Sequence, residues 1–170
     1  MANFDTRVFN GKRRMGLEFR RVEDTDLKDI FKWKNDKDTV KYSFHHLKMN
    51  MREFNTWFGS SLNNKKRKMF FLSDKKKKVG LIFFDKLKDC SEVSIMINPK
   101  ERGKGYASSA LKIVSKYYMD KFKETRVIAK VNYDNLASLR CFINAEYNYY
   151  GNEMYRLLEL KKDTLYNQIK

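Results

Sequence analysis

Arg102-Gly-Lys-Gly-Tyr-Ala107 brings two glycines and two cations into one short stretch. An apolar run, Val93–Ile97, precedes it, followed by the chain's only proline, Pro99. A long amphipathic segment begins near Ala107. A strand is therefore expected to run into a glycine loop that opens a helix. The first N–H groups of a helix have no intrahelical acceptor and carry partial positive charge, so that spot suits phosphate oxygens. Gly103 and Gly105 remove the Cβ atoms that would hold a ligand off the backbone, and Arg102 and Lys104 add charge. A pyrophosphate is the natural guest. The spacing fits neither the P-loop nor the three-glycine dinucleotide fingerprint. Read alone, the stretch is equally consistent with a turn and a helix cap.

A second pattern lies further along, Val131-Asn-Tyr-Asp-Asn-Leu-Ala-Ser138, leading through Phe142 to Tyr147. Together with Arg102-x-x-Gly105-x-Ala107, and in this order, it resembles the GNAT superfamily of N-acetyltransferases over roughly residues 17–160. The first motif is similar to that family's coenzyme A pyrophosphate loop, implicating Arg102, Gly103, Lys104, Gly105, Tyr106 and Ala107. The second is similar to the segment beside the pantetheine arm, matched by Asn132, Asn135, Ala137 and Ser138. The resemblance implies acetyl-CoA as co-substrate, bound where the fourth and fifth strands splay apart. The backbone of Ile95, Met96 and Ile97 would then pair with pantetheine, with the N–H of Met96 or Ile97 facing the thioester oxygen.

An attacking amine must shed a proton, since an ammonium has no lone pair. Glu92, at the start of the fourth strand, is the first candidate base, and His45 or His46, the chain's two histidines, or water are the alternatives. Relatives often carry a tyrosine that protonates the leaving thiolate at the position of Phe142. Here that acid is missing, is replaced by water, or comes from another group such as Tyr147 or Tyr149. A glycine usual in the family before the final aromatic is Glu146. No spaced His/Cys/Asp cluster suggests a metal.

These residues require a scaffold. Leu17–Val22 alternates as a first strand. Asp24-Thr-Asp-Leu opens a helix with Leu27, Ile30, Phe31 and Lys34 on one face, and Asn50 can cap a second helix through Phe54, Trp57, Phe58 and Leu62. Strands are expected at 68–73, 79–84, 91–97 and 126–131, with helices at 107–122 and 135–144. A closing hairpin is expected to turn at Gly151-Asn152. Residues 1–16 read as an arm with a strand or turn near Arg7–Asn10, 17–160 as one domain, and 161–170 as a tail. The order predicts an α/β fold, a mixed central sheet with helices on both faces.

At 170 residues the chain suits one domain, and 13 Phe and 10 Tyr supply core material. No apolar run approaches a membrane span, and the first residues lack a signal-peptide core, so a cytoplasmic protein is expected. Cys90 and Cys141 read as packing thiols. The net charge of +16 raises a nucleic-acid reading. Its densest runs, Lys65–Lys68 and Lys75–Lys78, lack interleaved stacking aromatics, which favours a solvated surface.

The acceptor is approached through Phe31-Lys-Trp-Lys-Asn-Asp36, Tyr42-Ser-Phe-His-His46 and Phe54-x-x-Trp57-Phe58. These resemble a GNAT subgroup acting on the 4-amino group of nucleotide-linked amino sugars, as in pseudaminic-acid-type biosynthesis. Trp33, Lys34, Asn35, Phe44 and His46 would then face the sugar nucleotide, although Trp33 and Trp57 equally suit packing. A peptide or ribosomal-protein N-terminus, a non-catalytic coenzyme A-binding domain and a basic nucleic-acid module are the alternatives. A homodimer is left open.

Overall fold

The computed structural model describes residues 7–10, 16–44 and 46–162. Eight strands form one sheet: β1 (Arg7–Asn10), β2 (Gly16–Arg21), β3 (Arg67–Asp74), β4 (Lys77–Lys86), β5 (Ser91–Ile97), β6 (Arg126–Val131), β7 (Asn148–Asn152) and β8 (Arg156–Lys161). Their order across the sheet is β1-β2-β3-β4-β5-β6-β8-β7. Because Arg7–Asn10 adds a strand, the expected fourth and fifth strands are β5 and β6. Every neighbouring pair is antiparallel except β5 and β6, which are parallel. A parallel pair needs a crossover, and α4 (Tyr106–Phe122) supplies it.

The central strands bury both faces, so they read as apolar runs rather than as alternation. Phe70, Leu72, Ile82, Phe84 and Val93 face α4 and α5 (Leu136–Asn144), joining Leu111, Val114 and Tyr118 in the larger core. Their neighbours Met69, Phe71 and Leu81 face the other way, against Ile30 and Trp33 of α1 (Leu27–Lys34) and Phe54 and Phe58 of α3 (Met51–Asn63). Asn50 caps α3 reciprocally: its side chain accepts from the Glu53 N–H at 3.0 Å, and its own N–H donates to Glu53 Oε2 at 2.8 Å. A short helix, α2 (Lys37–Tyr42), buries no side chain.

Two local expectations are corrected. On α1 the buried face carries Trp33 rather than Lys34, because Trp33 stacks on Phe71 with centroids 5.5 Å apart. The last hairpin turns at 153–155, where the Glu153 N–H bonds the Tyr155 carbonyl, rather than at Gly151-Asn152. Gly151 instead follows the register shift of β7 against β8, a common place for glycine in a strand.

Candidate acetyl-CoA site

β5 leads into the glycine loop through Asn98 and a single 3-10 turn, Pro99–Glu101. Gly103 (φ 75°) and Gly105 (φ 87°) both adopt the left-handed region that favours glycine. Gly105 is the N-cap of α4 and contributes no side chain to the cap. The N–H groups of Tyr106, Ala107 and Ser108 thus lie before the first helical bond, Ser109 N–H to the Gly105 carbonyl at 3.2 Å. A seventeen-residue helix aims its positive end at this place. The aim is fixed from within. Tyr106 is buried and its hydroxyl donates to the buried Asp74 carboxylate at 2.5 Å. Burial and that carboxylate push the Tyr106 phenol up to about 12. Further along α4, Tyr118 shares a 3.0 Å hydrogen bond with Ser91 at the start of β5.

Beside this loop the sheet is split. β5 and β6 pair only at Ser91 with Val127 and Glu92 with Ile128, then separate. The edge of β5 beyond Glu92 therefore borders a gap. Its backbone polarity follows from one bond: Asn98 N–H donates to the Val79 carbonyl of the β4 side at 2.8 Å. In an unbroken antiparallel ladder the direction alternates residue by residue, so Met96 and Ser94 bond toward β4. Val93, Ile95 and Ile97 present their N–H and C=O groups to the gap. Of the two amides expected for the thioester oxygen, Ile97 keeps that orientation. Met96 turns away, and its side chain packs at the α1–α3 core. β4 can approach this closely because Gly80 has no side chain; a Cβ there would come 2.4 Å from the Met96 carbonyl oxygen.

Glu92 sits at the vertex of the split, 3.0 Å from the Lys130 ammonium of β6. That hydrogen bond raises the Lys130 ammonium above its ordinary value. Arg102 and Lys104 are both engaged by protein groups. Arg102 reaches Asp36 at 2.6 Å, Asp38 at 3.1 Å and Thr39 at 2.8 Å. Lys104 donates to Glu101 and to the Lys100 carbonyl, both at 2.9 Å. Asn132 and Asn135 build the entry to α5: Asn132 accepts from the Asp134 N–H at 3.2 Å, and Asn135 caps the helix through the Ser138 N–H at 3.0 Å.

The remaining expected residues disperse. Tyr147 is 1% exposed, and its hydroxyl meets Ser115 at 2.7 Å inside the main core. Burial raises its phenol far above the ordinary value. Phe142 packs edge-on against it with centroids 5.1 Å apart. Glu146 does hold the positive φ, 70°, that suits glycine, and it is ion-paired with Lys112. Asn35 spends its amide bracing the backbone of Met49, accepting at 2.8 Å and donating at 3.0 Å. Lys34 lies over the Trp57 ring, 4.3 Å from its centroid. Phe44 leans on Tyr155 with centroids 4.4 Å apart. His46 is exposed at φ 49°, and His45 lies outside the described residues.

A model of the acetyltransferase (GNAT) domain matches residues 16–147. The chain belongs to the GNAT family. It is an acetyl-CoA-dependent N-acetyltransferase, and the loop-and-gap geometry fits that co-substrate: free amides at a helix start for the pyrophosphate and an unpaired strand edge for the amide-bearing arm. No curated protein matches by sequence. Among solved structures, the acetyltransferase is similar to spermidine N-acetyltransferase from Vibrio cholerae in complex with CoA and spermine (TM-score 0.77, 16% identity, 87% of this chain and 96% of that one). It is also similar to an aminoglycoside acetyltransferase in complex with coenzyme A and kanamycin (TM-score 0.80, 11% identity, 91% and 99%). A third likeness is to a GNAT-family acetyltransferase from Bacillus anthracis (TM-score 0.75, 21% identity, 94% and 98%). At these identities the likeness is one of fold.

Several groups that shape the acetyltransferase's site carry no signal in a single sequence. Lys130 beside Glu92, Asp36 and Asp38 beside Arg102, and Asp74 beneath Tyr106 are all long-range pairings. Gly80 was the one detectable hint, an isolated glycine inside an apolar strand. Among the described residues no helix is long and apolar enough to cross a membrane and no metal-binding cluster is present.

Proposed function

We propose that this acetyltransferase acts on an anionic acceptor, the 4-amino group of a nucleotide-linked amino sugar. One observation supports the anionic character. Carboxylates around the site are already ion-paired within the protein: Asp85 with Arg67, Glu92 with Lys130, and Asp36 and Asp38 sharing Arg102. Lys34 has no carboxylate partner among the described residues. It is half-buried against Trp57, and burial, helped by nearby Arg67, lowers its ammonium below the ordinary value. A desolvated cation gains from a phosphate. A polyamine or aminoglycoside would need spare carboxylates instead.

In this reading the amine attacks the thioester carbonyl, the N–H of Ile97 or Ile95 receives the developing oxyanion, and Glu92 takes the amine proton directly or through water. One such oxyanion donor is worth about 2.7–4 kcal/mol. The C–S bond then breaks, and the thiolate is protonated by water or by the exposed Tyr149, since Tyr147 is locked in the core. Trp33, being core, does not cover the sugar; the half-buried Trp57 is the better-placed ring.

The test is thiol release from acetyl-CoA with UDP-linked 4-amino-4,6-dideoxy sugars beside peptide N-termini, free amino sugars, spermine and kanamycin. Preferential turnover of the nucleotide sugar, with a KM that climbs with salt, is expected. Selective turnover of a peptide, spermine or kanamycin would overturn the reading.

A further inference from the structure

We infer that Arg102 is a positioning residue that ties α2 to the glycine loop, rather than a ligand of the pyrophosphate; the inference rests on the glycine loop being the acetyl-CoA site and on the segment opened by α2 facing the acceptor. The guanidinium is committed to three acceptors, all within the first turn of α2 or its cap: Asp36, Asp38 and Thr39. Two carboxylates face one cation, so the cluster is net negative. A pyrophosphate reaching for Arg102 would have to displace both carboxylates or lie against them. The amides of 103–108 offer the same phosphate bonds without that repulsion.

Asp36 serves two ends at once. It caps α2 by accepting from the Asp38 and Thr39 N–H groups, both at 3.2 Å, and it grips Arg102. Burial pushes its carboxyl up, but the bonds from Arg102 and the Thr39 amide outweigh this and hold it below the ordinary value. α2 has six residues, buries none of them, and is too short to persist unaided. It opens the segment 36–49, which Asn35 ties at its far end through Met49 and Phe44 ties midway to Tyr155. Arg102 is the tie to the cofactor loop. Without it, the segment loses the anchor that sets it against the end of β5.

Hydrogen exchange and coenzyme A titration on the full chain test this with Arg102→Ala, with Asp36→Asn/Asp38→Asn, and with all three changes together. Asn preserves the α2 cap, so the second variant removes charge alone. Either variant is expected to speed exchange in 37–49 by roughly three- to tenfold while the β3–β4 amides keep their protection. The triple variant should be no faster than either, because the groups act as one unit. Coenzyme A affinity should stay within about threefold throughout, whereas loss of a phosphate-binding arginine would cost about tenfold or more. With any amine that turns over, acceptor KM rises and acetyl-CoA KM does not.

Unchanged exchange in 37–49 would overturn the proposal. So would a tenfold loss of coenzyme A affinity in Arg102→Ala accompanied by tighter binding in Asp36→Asn/Asp38→Asn. If Arg102→Ala does not fold, the carboxamide variant decides alone. Wild type failing to bind coenzyme A would instead strike the reading of the loop, and the exchange arm would still decide whether Arg102 tethers α2.

Discussion

Gly105→Val puts a β-branched side chain on the residue that starts α4 at φ 87°. A non-glycine residue held in that region costs roughly 1–3 kcal/mol. For a chain of this length each kcal/mol lowers Tm by about 2–4 °C. A melting point about 2–12 °C below wild type is therefore expected if the loop keeps its shape, and less if it relaxes. Relaxation has its own consequence, because moving Gly105 off its φ re-aims the N–H groups of Tyr106, Ala107 and Ser108. Each bond from such a group to a phosphate is worth about 1.5–3 kcal/mol. Misaligning two of them costs about 3–6 kcal/mol, a 10²- to 10⁴-fold loss of affinity. Titration calorimetry with coenzyme A measures the affinity, and circular dichroism confirms that α4 persists. A folded variant with the lowered Tm and wild-type affinity would show that the glycine serves only the turn. Gly103→Ala is the companion: its added Cβ would meet nothing within 4 Å, so its effect on stability comes from φ alone.

Glu92→Gln should lower kcat about 10²-fold near neutral pH, with the deficit shrinking as pH rises and more acceptor is already neutral; a pH–rate profile parallel to wild type would assign the proton to water or a histidine. Trp33→Ala should cost about 3–5 kcal/mol of stability, read by denaturant melts, because it empties a core position against Phe71; a change confined to acceptor KM would contradict the packing role. Tyr106 is protonated in the fold up to about 12, against an ordinary 10, so between those values the unfolded chain binds fewer protons and stability falls as pH rises. Urea melts across that window should show a decline that Tyr106→Phe reduces. Lys123, at φ 58° after α4, is exposed, and Lys123→Gly should raise Tm by about 2–4 °C by relieving roughly 1 kcal/mol of left-handed strain.

The elements that position the site were legible where local chemistry decides them. The expected strand 126–131 coincides with β6, and the helix expected behind an Asn50 cap begins at Met51 with Asn50 as its reciprocal cap. α4 begins one residue earlier than expected, at Tyr106, because Gly105 rather than a side chain ends the loop. The glycine loop was readable because it is contiguous and both its glycines adopt the positive φ that favours glycine. The acceptor side was harder. Trp33, Lys34 and Asn35 are adjacent in sequence, yet one is core, one lies on a neighbouring ring and one braces a loop. A helix turns each successive side chain by about 100°, so adjacency there does not mean a shared surface. Likewise Tyr147 could not be told from a surface tyrosine until its Ser115 partner on α4 was known.

The split between β5 and β6 gives the sheet inner rims as well as the outer ones at β1 and β7. An open strand rim is a template on which another chain can pair, and proteins guard such rims. Here the guard is shape. The two rims converge on Ser91 and Glu92, while Tyr155, just before the β8 residue that pairs with the far end of β6, holds Phe44. Seating an extra strand between two others needs roughly 4.8 Å on each side along its whole length, and a wedge cannot provide that near its vertex. A thin, single-stranded guest with amides spaced along a flexible arm can follow the taper where a polypeptide cannot. The same taper that suits the proposed co-substrate arm thus keeps a sister chain from docking in its place, and concentration-dependent association through this rim should be suppressed further by added coenzyme A if it binds there.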